Sequence, residues 1–196
     1  LFALFLTLSF AVFLFNTIFI TVDPGEKGVL WKRFDNGTES RVYDEGLHLI
    51  SPFNVMYKYD TRIQQRETEF SALSSGGLII EIKALVRFSS IRDQVYLLHQ
   101  KVGPDYIERV VIPETQATLR RVIGTKVLGA IYFTQESLVQ KSLLSVASEL
   151  RRNYIQLDDL LIKEIRLPTL VAEAIETKLL EKPPQIGIKA LKGGGR

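Results

Sequence analysis

Two histidines, paired acids such as Asp158-Asp159 and one glycine triplet are the groups whose type or spacing invites a search for chemistry. His48 lies in Leu47-His48-Leu49, a short strand, where a lone imidazole packs or hydrogen-bonds more readily than it ligates; His99 lies at a helix end, where it would meet the carbonyl terminus favourably. Asp158-Asp159 reads as a turn whose carboxylates cap or solvate backbone. Gly193-Gly194-Gly195 belongs to a tail with no strand and helix around it, so it is not a phosphate loop. The patterns G-x-S-x-G, G-x-x-x-x-G-K-[ST], H-E-x-x-H and G-x-G-x-x-G do not occur, and no nucleophile, base and oxyanion donor come together. The absence of cysteine excludes disulfides, thiolate catalysis and Cys-based metal sites. The expectation is a protein that is not an enzyme and has no cofactor and no metal. The 25 Lys+Arg against 22 Asp+Glu leave a net charge of +3, far from the field by which nucleic-acid binders neutralise phosphates, so nucleic acid is not an expected partner.

Hydrophobicity, by contrast, is concentrated. From Leu1 to Val22 no residue is charged, and a helix of that length would reach roughly 30 Å, the thickness of a bilayer core. The run reads as a transmembrane helix or hairpin-like insert, with Phe2, Phe5, Phe10, Phe13, Phe15 and Phe19 spread around all its sides. A signal peptide would have a shorter apolar part ending in small residues, whereas this run ends in Ile18, Phe19 and Ile20. The chain starts at Leu1 and not at Met, so upstream residues are expected to be missing. Orientation is read from Lys and Arg on both flanks, and only the downstream flank, with Lys27, Lys32 and Arg33, is visible.

The chain then alternates strands and turns. Asp23-Pro24-Gly25 is a stop, Gly28 to Phe34 a strand, Asn36-Gly37 a tight hairpin turn, Arg41 to Tyr43 the return strand and Leu47 to Ile50 another short strand. Tyr57, Tyr59 and Ile63 alternate with charged residues; so do Ile80, Ile82, Ala84, Val86 and Phe88, and Ser74 to Gly77 is read as the loop that joins these two strands. The pattern predicts a half-buried, mostly antiparallel sheet. Helical spacing follows from Ser89 or Ser90 to Lys101, from Asp105 to Ile123 with Pro113 expected to kink or restart the helix, and from Thr134 through Val139, Leu143, Val146 and Leu150. A strand through Leu161, Ile165 and Leu167 ends at Pro168, and Val171, Ala174, Ile175, Lys178 and Leu179 begin one more amphipathic helix.

Four phrases in this order carry a resemblance: VDPGEKGVLWKRFDNG directly after the apolar run, DEGLHLISPF, DTRIQQRETEF followed by IIEIKALVRFSS, and LDDLLIKEIRLPTLVAEAIETKLLE. Together they resemble the SPFH (Band 7) domain of stomatins, prohibitins, flotillins and bacterial HflK and HflC proteins, over about Val22 to Leu180. The segment Val102-Gly-Pro-Asp-Tyr-Ile-Glu-Arg-Val110 tilts the resemblance toward the prohibitin-like branch. It implies an α+β fold with a transmembrane anchor at 1–22, an SPFH domain at 23–167, the start of a coiled-coil helix at 168–182, and a strand and Gly-rich tail at 183–196. The family's final helix runs for many heptads, whereas here Lys182-Pro183-Pro184 stops it, so a coiled-coil segment is expected to be missing before Pro183.

The resemblance also implies a function. It points to a scaffold that assembles with itself into a large ring or cage, encloses a patch of bilayer and controls access of membrane proteins or a membrane protease. The rivals are an accessory regulatory subunit of a membrane protease or transporter without ring closure, and a membrane-tethered enzyme. The implied location is a bacterial plasma membrane or a mitochondrial inner membrane, with the side of the domain open. Two surfaces are singled out. The loop holding Phe53, Val55, Met56 and Tyr57 either dips into the membrane face, as the resemblance implies, or packs as ordinary core. Val171, Ala174, Ile175, Lys178 and Leu179 form a stripe that a neighbouring subunit would cover.

Overall fold

The computed structural model describes residues 2, 5, 6, 9, 15, 17–127 and 135–166, and of residues 135–138 only the backbone. Among them are eight strands, β1 (Phe19–Val22), β2 (Glu26–Lys32), β3 (Gly37–Tyr43), β4 (Gly46–Leu49), β5 (Val55–Asp60), β6 (Gln64–Leu73), β7 (Ile79–Ser90) and β8 (Ile155–Arg166). Three helices lie between β7 and β8: α1 (Val95–Lys101), α2 (Ile112–Gly124) and α3 (Gln135–Arg152). The strands form three antiparallel sheets, β1-β4, β3-β2-β5 and β6-β7-β8, so the domain is α+β.

The large sheet follows from period-two patterning. In β7, Ile80, Ile82, Ala84, Val86 and Phe88 are fully buried, while Glu81, Lys83, Leu85 and Arg87 point the other way. The buried face packs on the helices through Leu119 and Ile123 of α2 and Val146 and Leu150 of α3. The opposite face carries cross-strand charge, with Glu67 between Lys83 at 3.1 Å and Lys163 at 3.2 Å. Those two ammonium groups hold the Glu67 carboxyl below its ordinary range. Such exposed pairs keep the face soluble and add little stability.

Several expectations needed correction. Phe19 to Val22 are not the end of an anchor helix: they pair with β4 in the register Phe19↔Leu49 to Val22↔Gly46, because ladder hydrogen bonds and burial of Val22 favour extended β-branched residues. Tyr57 and Ile63 do not share one strand. β5 stops at Asp60, and β6 is a separate strand whose Thr68, Phe70 and Ala72 are buried in the large sheet. Ser90 ends β7 and donates its hydroxyl to the Asp60 carbonyl at 3.2 Å, so it caps no helix. Asp158 and Asp159 lie within β8 and not in a turn, with Asp158 3.4 Å from Arg87. Leu167, Thr134 and the whole stripe from Val171 to Leu179 lie outside the described residues.

Other local readings hold for physical reasons. Asn36 (φ 49°) and Gly37 (φ 72°) make the tight β2–β3 turn, as Asn-Gly tolerates positive φ. Pro113 restarts a helix: it sits at the start of α2, where a missing N–H costs least, and a proline ring disfavours regular α geometry in the turn before it. The preceding turn, Ile107–Val111, accordingly widens to π geometry, with the Ile112 N–H reaching the Ile107 carbonyl.

Gly25 gives one stability prediction. Its φ is +83°, and a Cβ there would lie 2.8 Å from Cδ of Arg62, which is itself held by Asp60. Gly25→Ala is expected to destabilise the domain by about 1–3 kcal/mol, read as a lower urea midpoint with an unchanged m-value. No change in midpoint would mean that this turn relaxes freely.

Candidate membrane-facing site

Strand direction decides which connections share an end of the small sheets. β1 starts beside the N-terminal run, where the Ile50 N–H donates to the Ile18 carbonyl at 2.9 Å. Phe19 faces Leu49, so the loop 50–54 leaves β4 at that same end. β5 then starts at Val55 opposite Trp31, which brings the β2–β3 turn, residues 33–36, to this end as well. Three connections therefore converge where the apolar N-terminal run enters.

This end exposes large apolar side chains beside the Lys32–Asp35 ion pair of the hairpin tip, 3.5 Å apart. Phe34, at the hairpin tip, is 79% exposed and meets the 57%-exposed Phe53 edge-on, ring centroids 5.6 Å apart. Leu49, Phe19 and Phe15 are also exposed here, and Leu47 is exposed further along β4, opposite Thr21. Arg33 sets its guanidinium 5.9 Å from the Trp31 ring, which leaves a cation beside an aromatic rim. A cluster of large apolar groups without cover marks an interaction surface rather than ordinary solvent-facing surface.

The opposite end of the same strands is ionic. Lys27 pairs with Asp44, Lys58 with Asp23 at 3.5 Å, and Arg62 with Asp60 at 2.9 Å. The Lys27 hydrogen bond holds the Asp44 carboxyl below its ordinary range, and the Arg62 hydrogen bond does the same for Asp60. A polar cleft of about 450 Å³ opens there, lined by Gly25, Glu26, Lys27, Asp44, Glu45, Thr61 and Arg92. Among the described residues no three His, Cys, Asp or Glu side chains converge as a metal site. The exposed aromatic pair Phe34 and Phe53 thus lies at one end of the small sheets, beside the Lys32–Asp35 pair, and the other ion pairs named here lie at the opposite end.

Of the four loop residues singled out in the sequence, the structure exposes Phe53 and Val55 and withdraws the others. Val55, Met56 and Tyr57 belong to β5, so consecutive side chains alternate between faces and cannot all point one way. Tyr57 lies half-buried with its ring centroid 4.4 Å from that of His99, and the Met56 sulfur lies 2.6 Å from where a Cβ on Gly28 would be. Of the six phenylalanines assigned to the anchor, Phe10 and Phe13 lie outside the described residues. Phe2, Phe5 and Phe15 are helical and exposed, and Phe19 is in β1. Among the described residues no helix is long and apolar enough to cross a membrane.

His48 does what a lone strand histidine is expected to do: Nε2 donates to the Asp44 carbonyl at 2.6 Å, and the ring packs edge-on to Tyr43. His99 does not. It turns from the end of α1 toward β5, with Nδ1 2.7 Å from the Tyr59 hydroxyl, and burial lowers its pKa. Sequence reading missed Phe34, Leu47 and Leu49 as surface groups. The usable signal was an aromatic residue in a turn, where polar and small residues are the rule.

Comparison with known proteins shows the family. The model of the SPFH domain / Band 7 family matches residues 20–182. The chain is 26% identical to mouse prohibitin 1 over 175 residues, which is 88% of this chain and 64% of that protein. It is 26% identical to the Arabidopsis thaliana protein prohibitin-1, mitochondrial, over 159 residues, 80% of this chain and 54% of the relative. It is 28% identical to prohibitin-7, mitochondrial, of the same plant over 163 residues, 80% of this chain and 56% of the relative. The chain thus spans between 54% and 64% of the length of these three proteins.

Proposed function

Since the chain belongs to the SPFH domain / Band 7 family, with prohibitins among its relatives, we propose that it is a membrane-anchored scaffold that assembles with itself. Residues 1–18 insert as a single span, and the apolar end of the small sheets rests on the bilayer beside it. The observation that carries this reading is the convergence of the N-terminal run, the loop 50–54 and the hairpin tip Phe34 on one apolar end. A domain in water would leave that end unprotected, whereas a membrane surface covers it without a further partner.

Assembly follows from repetition of one interface. Side-by-side copies close into a ring or cage, and the wall restricts which lipids and membrane proteins, a membrane protease included, exchange with the enclosed patch. The protein acts by position and not by catalysis. A bacterial plasma membrane or a mitochondrial inner membrane suits this role, and the plant relatives carry the word mitochondrial in their names.

Sizing the detergent-solubilised protein tests the reading: large uniform particles are expected, and a folded monomer would overturn it. Small discrete complexes with a protease or transporter would favour an accessory subunit without ring closure. The interface is tested at the stripe Val171, Ala174, Ile175, Lys178 and Leu179. Changing Val171 and Ile175 together to Asp places unpaired carboxylates in an apolar contact, which costs several kcal/mol per subunit, of order ~3–5. The expected result on size-exclusion chromatography is loss of the large particle with membrane insertion intact. Particles of unchanged size would mean that the globular domains alone hold the assembly.

A further inference from the structure

Three connections meet at the end of the small sheets where the N-terminal run enters, and their charge can be counted. Residues 31–39, the hairpin tip and its flanks, carry Lys32 and Arg33 against Asp35 and Glu39, a balance of zero. Residues 17–22 and 50–56 carry no charged group. The tip charges are also arranged among themselves. Lys32 lies between Asp35 at 3.5 Å and Glu39 at 3.7 Å, and Arg33 keeps its guanidinium beside the Trp31 ring. Acidic lipid draws proteins through clusters of Lys and Arg, and this end has none.

What remains is apolar bulk. Phe34 and Phe53, both exposed, come from two different connections and meet edge-on. Both connections are tight turns. Asn36 and Gly37 close one at positive φ, and in the other the Asn54 N–H donates to the Ser51 carbonyl at 3.0 Å. Two fixed turns therefore present a compact wedge two rings across, and not a helix face that spreads along a surface.

We propose, resting on the reading that this end lies on a bilayer, that Phe34 and Phe53 select loosely packed leaflets, with unsaturated chains or small headgroups, irrespective of headgroup charge.

Interfacial binding has two main contributions, the apolar area buried and the attraction to anionic lipid. The second is cancelled here by the count of charges, so the first decides. Burying two rings requires acyl surface to be reachable between headgroups. A loosely packed leaflet offers such gaps already, whereas a tightly packed one must be opened against its own cohesion. Copies held in one assembly add their wedges, so a modest preference per copy becomes a strong preference for the patch beneath them.

The absence of cysteine makes the test direct. Ser51→Cys, at an exposed position in the loop that holds Phe53, takes one environment-sensitive nitrobenzoxadiazole label. The full chain is reconstituted in vesicles, where residues 1–18 hold it in every composition, so emission reports insertion of the tip and not recruitment. The same labelled chain with Phe34→Ser and Phe53→Ser, both surface positions, is the reference in each vesicle and removes the response of the label to the lipid itself. The expected excess of the parent over this reference is about threefold larger in dioleoyl phosphatidylcholine than in saturated phosphatidylcholine with cholesterol. Added phosphatidylglycerol or salt is expected to leave it unchanged. Asp35→Lys, at an exposed carboxylate, makes the tip net positive and is expected to gain a salt-sensitive response to phosphatidylglycerol. An equal excess in loose and tight bilayers overturns the selection and leaves the membrane-resting surface standing. No excess in any bilayer overturns both. An excess that needs phosphatidylglycerol in the parent chain overturns the independence from charge, as does an Asp35→Lys variant that gains no such response.

Discussion

Removing residues 1–17 is expected to shift the remaining chain from the carbonate-resistant membrane pellet to the supernatant almost completely. A span of roughly 20 apolar residues supplies the insertion energy, and no other stretch of this chain is comparable. The cut must stop before Ile18, whose carbonyl holds Ile50, and before Phe19 to Val22, which form the ladder with β4. A deletion through Val22 would remove a buried core side chain and an entire strand, so release would then be confounded with unfolding. The shorter deletion keeps Phe34 and Phe53, and the released domain is expected to retain weak, salt-insensitive binding to neutral vesicles. Phe34→Ser with Phe53→Ser should abolish that residual binding. A truncated protein that stays in the carbonate pellet would show that something other than the N-terminal run holds it.

The largest stability loss is expected at Phe88. Its side chain is fully buried in β7 and meets Tyr106 edge-on at 6.3 Å, beneath the joint that Tyr59 and His99 close. Phe88→Ala removes the transfer energy of the ring and leaves a cavity that a strand paired on both sides cannot collapse. The cost is about 3–5 kcal/mol, a large share of the roughly 5–15 kcal/mol that keeps a domain folded. Thermal unfolding of the released domain should drop by about 10 °C. Leu144→Ala on α3 is the contrast: that side chain is 74% exposed, and its removal should change stability by less than about 0.5 kcal/mol. A comparable loss at Leu144 would mean that a neighbour covers it in the working protein.

How much of this was legible in the sequence depended on whether the cause was local. The alternation in Ile80 to Phe88 fixes one buried face whatever the partners are, so β7 and its outward Leu85 could be read directly. Asn36-Gly37 and Pro113 act through their own backbone chemistry, and both did in the structure what the residue types require. The order of these signals also carried the family, which the match over residues 20–182 bears out. β6 was passed over because its alternation is written in Gln, Glu, Thr and Ser, where only Phe70 and Ala72 advertise the buried side. Nothing local distinguishes Phe19 to Val22 from the end of an apolar helix; only the ladder with Leu47 to Leu49 makes it a strand.

The sequence by itself determined the periodicities, the tight turns, the absence of catalytic groupings in recognisable spacing and the concentration of apolar residues at the start of the chain. Only the tertiary structure decided what meets what. It brought Phe34 beside Phe53 from 19 positions away, half-buried Met56 and Tyr57 on opposite faces of β5 while leaving Val55 exposed, and set His99 against a tyrosine 40 positions distant. The reason is physical: period and turn chemistry act over a few bonds, whereas an exposed patch or a shifted pKa is fixed by desolvation and hydrogen bonding among groups that strand register and helix packing bring together from far along the chain.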